Sequence, residues 1–491
     1  MNFARDVLER RPPEDLALLE LAREGTRREW TFGEIADRTA RLAGTLRARG
    51  IGRGDVVMTL IGNRPEWAIA MCACFRIGAV VLPCTEQLRA KDLRLRIAVA
   101  QPSLILADER NRSELREARP RCEVLLMPDE ALFAADPAPA VELSERDPCL
   151  ITFTSGTTGE PRAVLHAQRY LPGQRTQAEH WLGARAGELV WCTASSGWSK
   201  SARNAFIAPW LSGASALLHD ARFDPAERVE LIERERVNVL CMAPTEYRVI
   251  AARTGLRELP WLRTMVAAGE ALDPEVLQTW REVTGLAIRD GYGQTETGQM
   301  TGMTPAETVR PGSMGRPLPG VSLSVISGEL VADPRTVPTF FLGYLGEQVA
   351  RAHDGSWQVR DRGSQPEPWR TGDRVREDDD GYLWFEGRDD DVIVSAGYRI
   401  GPFEVESALV AHPAVAEAAA VAASDPERGS VVRAVVVLRD GHEASPTLAR
   451  KLQEHVKRET APYKYPRIVD FASELPKTAS GKIKRAELRE R

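Results

Sequence analysis

Ile151-Thr152-Phe153-Thr154-Ser155-Gly156-Thr157-Thr158-Gly159-Glu160-Pro161-Arg162 runs from an apolar strand into a loop of small residues and hydroxyls. Gly156 and Gly159 carry no Cβ, so their backbone N–H groups can approach an anion closely. Thr154, Ser155, Thr157 and Thr158 add hydroxyl groups, and Arg162 closes the stretch with a five-donor guanidinium. Ser-Gly and Thr-Gly pairs also occur in plain turns. The hydroxyl density and the closing arginine favour polyphosphate binding over that reading. The pattern G-x-x-x-x-G-K-[ST] is absent here, which argues against a P-loop kinase or motor.

Outward from this loop, helical and strand-like segments alternate. Upstream, a helix opening near Trp30 continues through Ile35, Leu42, Ala43 and Leu46 and stops at Gly50. Strand-like runs follow at 56–60, 80–82, 103–107 and 123–127, with a helical pattern across 67–71. Downstream, 214–218, 237–240 and 264–268 are further strands. This alternation predicts α/β layers whose ligand loops lie at the carboxyl ends of strands. Asp389-Asp390-Asp391 marks the predicted boundary between a large layered body, 1–389, and a smaller, mobile α+β lid, 390–491. In the lid, 404–411 and 448–459 read as helices and 431–438 as a β-branched strand.

Composition narrows the function classes. A chain of 491 residues has room for more than one core, and 43% hydrophobic with 27% charged residues fits a folded enzyme. A net charge of -5 gives no basic excess to attract nucleic acid. The start lacks a secretory apolar core, and the apolar run 79–83 is too short to span a bilayer, so the cytoplasm is the expected location. Seven cysteines lack disulfide-like density, and Cys72 and Cys74 have no second close pair for a metal.

Further blocks occur in order along the chain. They are Ala268-Gly269-Glu270, Asp290-Gly291-Tyr292-Gly293-Gln294-Thr295-Glu296-Thr297, Arg370-Thr371-Gly372-Asp373 and Gly387-Arg388-Asp389-Asp390-Asp391. Ser395-Ala396-Gly397-Tyr398-Arg399 and Pro476-Lys477-Thr478-Ala479-Ser480-Gly481-Lys482 complete the series. With the 151–162 loop, these blocks resemble the adenylate-forming superfamily of acyl-CoA synthetases, luciferase-like enzymes and peptide-synthetase adenylation domains. Arg162 stands where that family usually has lysine. The resemblance implies ATP and Mg²⁺, a carboxylic acid activated as its acyl-adenylate, and release of pyrophosphate. It implies that Thr295 donates to the α-phosphate, that Glu296 holds Mg²⁺, and that Lys482 contacts the carboxylate and α-phosphate. Tyr292 would stack on adenine beside Gly269 and Glu270, with Asp373 on the ribose hydroxyls and Arg388 on ribose or phosphate oxygens. Asp390 would be the lid hinge, and Gly397 the point where a pantetheine thiol approaches.

The acid side is carried by Trp191-Cys192-Thr193-Ala194-Ser195-Ser196-Gly197-Trp198-Ser199-Lys200, which resembles the medium-chain acyl-CoA synthetase branch. Trp198 is expected to wall the acyl tail. Gly293, where acetyl-CoA synthetases carry tryptophan, is expected to leave depth for a medium-chain, branched or aromatic acid. Coenzyme A is the expected acceptor, and a separate carrier-protein phosphopantetheine is the rival. A noncatalytic, nucleotide-regulated binding module is the alternative of a different class. Lys200 reads either as a locally paired lysine or as a partner for a second substrate carboxylate.

Overall fold

The computed structural model describes the chain except residues 155–160, 254, 270–273, 353–354, 361–365, 389–390, 392, 396–397, 426–428, 461–463, 478–482 and 490–491. Two large sheets form the body. The seven-stranded sheet runs, in spatial order, Gly343–Tyr344, Ala163–Ala167, Pro148–Phe153, Val80–Cys84, Val56–Leu60, Leu104–Asp108 and Glu123–Met127. The nine-stranded sheet runs Arg316–Pro317, Gly298–Gly302, Ile288–Gln294, Thr264–Ala268, Val239–Met242, Leu189–Cys192, Ser215–His219, Leu16–Leu21 and Arg27–Thr31. Their central strands are parallel, so the connecting helices cover the faces and the strands are nearly all buried.

The helix Pro65–Ile77 lies in the core shared by elements of both sheets, and every residue from Trp67 to Ile77 is buried. Trp-Ala-Ile-Ala-Met-Cys-Ala-Cys-Phe is apolar on all sides, which suits a helix enclosed by protein. Gly78 ends it with φ +75, a left-handed conformation that costs glycine little. The helix Phe32–Ala48 is amphipathic, burying Phe32, Ile35, Leu42, Ala43 and Leu46. It starts two residues after the predicted Trp30, because Thr31 caps it. The Thr31 hydroxyl accepts from Glu34 N–H at 3.2 Å, and the Glu34 carboxylate accepts from Thr31 N–H at 2.8 Å.

A smaller antiparallel sheet of Leu323–Ile326, Glu329–Ala332, Trp369–Glu377 and Leu383–Arg388 follows the two large sheets. The carboxyl-terminal α+β unit has a second core. Val415–Asp425 pairs antiparallel with Gly429–Leu438, which pairs parallel with Ile468–Phe471. The helices Pro402–Val410 and Pro446–Glu459 contribute Val405, Leu409, Leu452 and Val456 to that core. Ile393 already packs there, whereas Leu383 packs in the body. The chain is thus a large α/β domain followed by a smaller α+β domain. Among the described residues no helix is long and apolar enough to cross a membrane.

Charge joins the two large sheets at their carboxyl ends. Arg110 pairs with Asp108, the last residue of a seven-stranded-sheet strand, at 2.7 Å. It also pairs with Asp220, just past a nine-stranded-sheet strand, at 2.9 Å. Asp108 accepts from Gly62 N–H at 2.9 Å and pairs with Arg64 at 3.1 Å. Arg110→Met leaves two largely buried carboxylates short of their shared cation, and is expected to destabilise the body by roughly 3 kcal/mol. Urea denaturation measures this; a loss below about 1 kcal/mol, the range of exposed pairs, would contradict the bridging role.

Candidate active site

The hydroxyl-rich loop is closed at its base. Thr154 N–H donates to the Arg162 carbonyl at 2.9 Å, and Arg162 N–H donates to Thr154 Oγ1 at 3.2 Å. Ser155, Gly156, Thr157, Thr158 and Gly159 lie outside the described residues, as do Glu270, Asp390, Gly397 and Lys482. The Arg162 side chain is bound locally. Its guanidinium donates to both carboxylate oxygens of Glu347, at 2.7 and 2.6 Å, and lies 3.4 Å over the Tyr344 ring. The Tyr344 hydroxyl in turn donates to Glu296 Oε1 at 2.6 Å. Burial and the Glu296 carboxylate push the Tyr344 pKa well up, so this hydroxyl stays a donor. A line of contacts therefore runs from the base of the loop through Tyr344 to Glu296. Tyr344 escaped sequence reading because an isolated aromatic in a two-residue strand carries no motif.

Glu296 sits in the turn 295–297 between the antiparallel strands Ile288–Gln294 and Gly298–Gly302. Its carbonyl accepts from Phe341 N–H at 2.9 Å. The buried imidazole of His166 faces the backbone of Thr295 and Thr339, and the Thr339 hydroxyl donates to the Thr297 carbonyl. The turn is thereby fixed from the strand Ala163–Ala167, which directly follows the hydroxyl-rich loop.

The second cluster centres on Asp373, only 4% exposed. Its Oδ2 accepts from the Tyr292 hydroxyl and, at 2.8 Å, from Gln294 Nε2, while Arg388 Nη1 lies 3.3 Å from Oδ1. Asp373 and Arg388 are register partners across an antiparallel pair, which brings together residues that are distant in sequence. Trp369 Nε1 donates to Gln294 Oε1 at 2.9 Å, orienting the amide that binds Asp373. Gln294 and Trp369 are positioning residues that the sequence reading did not single out. The Tyr292 ring is held by its hydroxyl at the same carboxylate, at the exit of the strand that leads to Glu296.

The acid-side segment is stapled to the seven-stranded sheet. The Ser196 hydroxyl donates to the Ile61 carbonyl, Ser196 N–H donates to Asn63 Oδ1 at 2.7 Å, and Asn63 Nδ2 donates to the Ala194 carbonyl at 3.1 Å. Gly197 adopts φ +90 against the backbone of Cys84 and Thr85, where no Cβ fits. Trp198 is partly buried and precedes the helical turn Ser199–Ala202. Lys200 Nζ donates to the Ala268 carbonyl at 3.1 Å and would lie 3.3 Å from a Cβ at Gly269, whose φ is +106. Lys200 is thus locally bound at the end of the strand that carries Gly269.

Gly293 corrects a sequence expectation. A Cβ there would fall on the Gly298 carbonyl and 2.9 Å from Gln299 Cα. The missing side chain makes room for the neighbouring strand rather than for a ligand. Gly291, two residues earlier on the same face, is equally constrained by Gln299 and Trp181. Gly293 is accounted for by close backbone approach in this hairpin, and Gly291 chiefly by the side chains packed over it.

Asp290 is the most perturbed carboxyl near the site. Burial pushes its pKa up to about 8, against the opposing pull of Gly291 N–H, which donates at 2.8 Å, and of Lys200. It is therefore largely protonated at neutral pH. Because the folded value exceeds the unfolded one, its stabilising contribution is full below about pH 4 and is lost as pH rises through about 8. Asp290→Asn should flatten that decline, so the wild type should lose more thermal stability than the variant between pH 5 and pH 8.5. Parallel Tm profiles would contradict the elevated pKa.

Residues 4–344 match the AMP-binding enzyme family, and residues 404–482 match the AMP-binding enzyme C-terminal domain. The chain is 36% identical to an uncharacterised acyl-CoA ligase, YtcI, of Bacillus subtilis (strain 168), over 97% of this chain and 93% of the relative. It is 36% identical to the mitochondrial acyl-coenzyme A synthetase ACSM3 of Homo sapiens, over 100% of this chain and 89% of the relative. The structure of the anthranilate CoA ligase AuaEII in complex with anthranoyl-AMP superposes with a TM-score of 0.87 at 26% identity, covering 100% of this chain and 97% of that one. The paired matches, the two-domain fold and the ordered motifs make one statement: the chain belongs to the AMP-binding, adenylate-forming enzyme family, in its acyl-CoA synthetase branch.

Proposed function

We propose that the protein activates a medium-chain, branched or aromatic carboxylic acid with ATP and transfers the acyl group to coenzyme A, releasing AMP and pyrophosphate. The observation that carries this reading is the contact line Arg162–Tyr344–Glu296, beside the Asp373 cluster on the same strand-and-turn unit. It links the base of the loop suited to phosphate oxygens with a carboxylate suited to a hard cation, with a buried carboxylate for ribose close by. Relatives named as acyl-CoA synthetases support coenzyme A as acceptor, and the anthranilate ligase supports an aromatic acid as one option. With Gly293 packed against backbone, acyl depth must come from other positions, Trp198 among them.

A carboxylate is a poor acyl donor because oxide is a poor leaving group. In the first half-reaction a carboxylate oxygen bonds to the ATP α-phosphorus as the bond to pyrophosphate breaks. Two anions must be held in line, so the work is positioning and charge stabilisation. Thr154, Ser155, Gly156, Thr157, Thr158 and Gly159 supply donors for the leaving phosphates, with Arg162 at the loop base. Thr295 donates to the α-phosphate. Asp373, released from the Tyr292 hydroxyl, accepts from ribose hydroxyls, and Arg388 donates to ribose or phosphate oxygens. Tyr292 stacks on adenine, with Gly269 and Glu270 at its edge. Lys482 brings positive charge to the reacting oxygens.

Glu296 fits Mg²⁺: its hard oxygens suit an ion that favours one or two carboxylates together with substrate phosphates and water. The bound ion would neutralise phosphate charge. In the second half-reaction the coenzyme A thiolate bonds to the acyl carbon and AMP leaves. The lid turns about Asp390 to present the Gly397 face, whose missing Cβ admits the thiol arm.

Following AMP, pyrophosphate and acyl-CoA separately across a panel of acids tests the proposal. Acid-dependent release of all three supports it. Adenylate that reaches a thiol only on a holo-carrier protein would replace coenzyme A as acceptor, and ATP binding without pyrophosphate from any acid would favour a binding module. Lys482→Ala should slow adenylation about a hundredfold while sparing thioester formation from preformed adenylate. Gly397→Trp should do the reverse, slowing thiol transfer at least about tenfold with adenylation nearly intact. Equal effects on both half-reactions would contradict the division of labour.

A further inference from the structure

We propose that Arg203 receives a second carboxylate on the substrate, so that the acid activated is a dicarboxylic acid; this rests on the acid-activation reading above. Arg203 follows the turn Ser199–Ala202 and opens the π-helical turn Arg203–Ile207, a geometry often found at functional sites. Its side chain comes from the same short stretch as Trp198 and Lys200, on the acid side. Its guanidinium also reaches the turn that carries Thr295 and Glu296. A Cβ at Gly298 would lie 3.5 Å from Arg203 Nη1, and Gly298 directly follows that turn. Arg203 therefore stands between the two segments that frame the proposed acid pocket.

The residue is 4% exposed, and its Nε and Nη1 have no hydrogen-bond partner among the described residues. An arginine cannot shed its charge, and a buried guanidinium without an anion is strongly disfavoured. The titratable groups around this part of the site do not supply a compensating charge. Tyr170 meets Arg203 with a neutral hydroxyl whose pKa is raised by burial. His166 is held neutral, its pKa lowered to about 3 chiefly by burial, with the Arg203 charge adding to the effect. Asp290 is largely protonated at neutral pH, and the Glu296 carboxylate holds the Tyr344 hydroxyl. Lys200, one turn earlier, adds a second positive charge.

The surroundings are polar as well as cationic. The His166 and Tyr170 rings lie 4.2 Å apart, and Gln174 Nε2 donates to the Tyr170 carbonyl at 2.9 Å. Gln177 Nε2 donates to Asn204 Oδ1 at 2.9 Å. Yet His166 Nδ1, Gln174 Oε1, Gln177 Oε1 and Asn204 Nδ2 are all buried without a partner among the described residues. A site for a wholly apolar tail would not gather such groups, because each costs free energy unless bonded. A carboxylate oxygen can accept from Nε or from Nη1, and its charge removes the imbalance.

The test compares matched acids: butyrate with succinate, hexanoate with adipate, octanoate with suberate, and benzoate with the three benzenedicarboxylates. Pyrophosphate release is measured for wild type and Arg203→Met, and Tm is measured with each acid in the presence of ATP and Mg²⁺. At least one diacid should beat its monoacid partner in kcat/KM in the wild type. Arg203→Met should cut use of that diacid about a hundredfold and improve use of the monoacid. The variant should also melt no lower than wild type without ligand, since a purely structural arginine would lower Tm, and should lose the diacid-induced rise in Tm. Preference for the monoacid in every pair, with the ratio unchanged in the variant, would overturn the proposal. Absence of pyrophosphate from every acid, with the diacid-specific Tm difference intact, would count against the ligase reading while supporting the Arg203 site.

Discussion

The carboxylate of Asp373 accepts from Tyr292 and Gln294 on one strand and faces Arg388 on another. A buried carboxylate requires such donors, because without them its desolvation would drive it to protonate. Satisfying it ties the small antiparallel sheet to the edge of the nine-stranded sheet and fixes the strand that runs on to Thr295 and Glu296. From there, Tyr344 carries the constraint to Arg162 at the base of the hydroxyl-rich loop. The site thus follows from one need to solvate charge away from water, met by residues far apart in the chain.

The acid side is built on the same principle with the opposite sign. Asp373 is a buried anion supplied with donors, whereas Arg203 is a buried cation that finds no acceptor among the described residues at Nε and Nη1. Asp290 lies close to Lys200 and is kept from balancing the charge because burial holds its proton. The two sides are joined by the turn 295–297, so charge on the acid would be sensed at the turn that carries the proposed phosphate and metal contacts. Packing supports this arrangement: the staple at Ser196 and Asn63 and the ion bridge through Arg110 hold both sheets in fixed relation beneath it.

Much of this is legible in the amino-acid sequence. The α/β body and the α+β carboxyl-terminal unit followed from alternating periodicity, and the strands read at 103–107, 214–218 and 237–240 fall within one or two residues of their observed positions. Their register is set by pairing with neighbours, which a local pattern does not encode. The motif blocks point Asp373 and Arg388 each at the nucleotide; that the two also meet each other follows only from the hairpin register. Gly293 was misread because a missing side chain looks like open space in sequence, while in three dimensions the Gly298 carbonyl fills it. Tyr344, Gln294, Trp369 and Arg203 were passed over because burial and partnership belong to tertiary structure. An arginine in Ser-Ala-Arg-Asn reads as a surface residue until its surroundings are known.

In the proposed reaction one pocket brings a carboxylate oxygen onto the innermost phosphorus of ATP. Labelling the acid's carboxylate with oxygen-18 and weighing the AMP product tests it most directly. Each AMP formed should carry one labelled oxygen taken from the acid. AMP that forms together with thioester yet contains no label would contradict it.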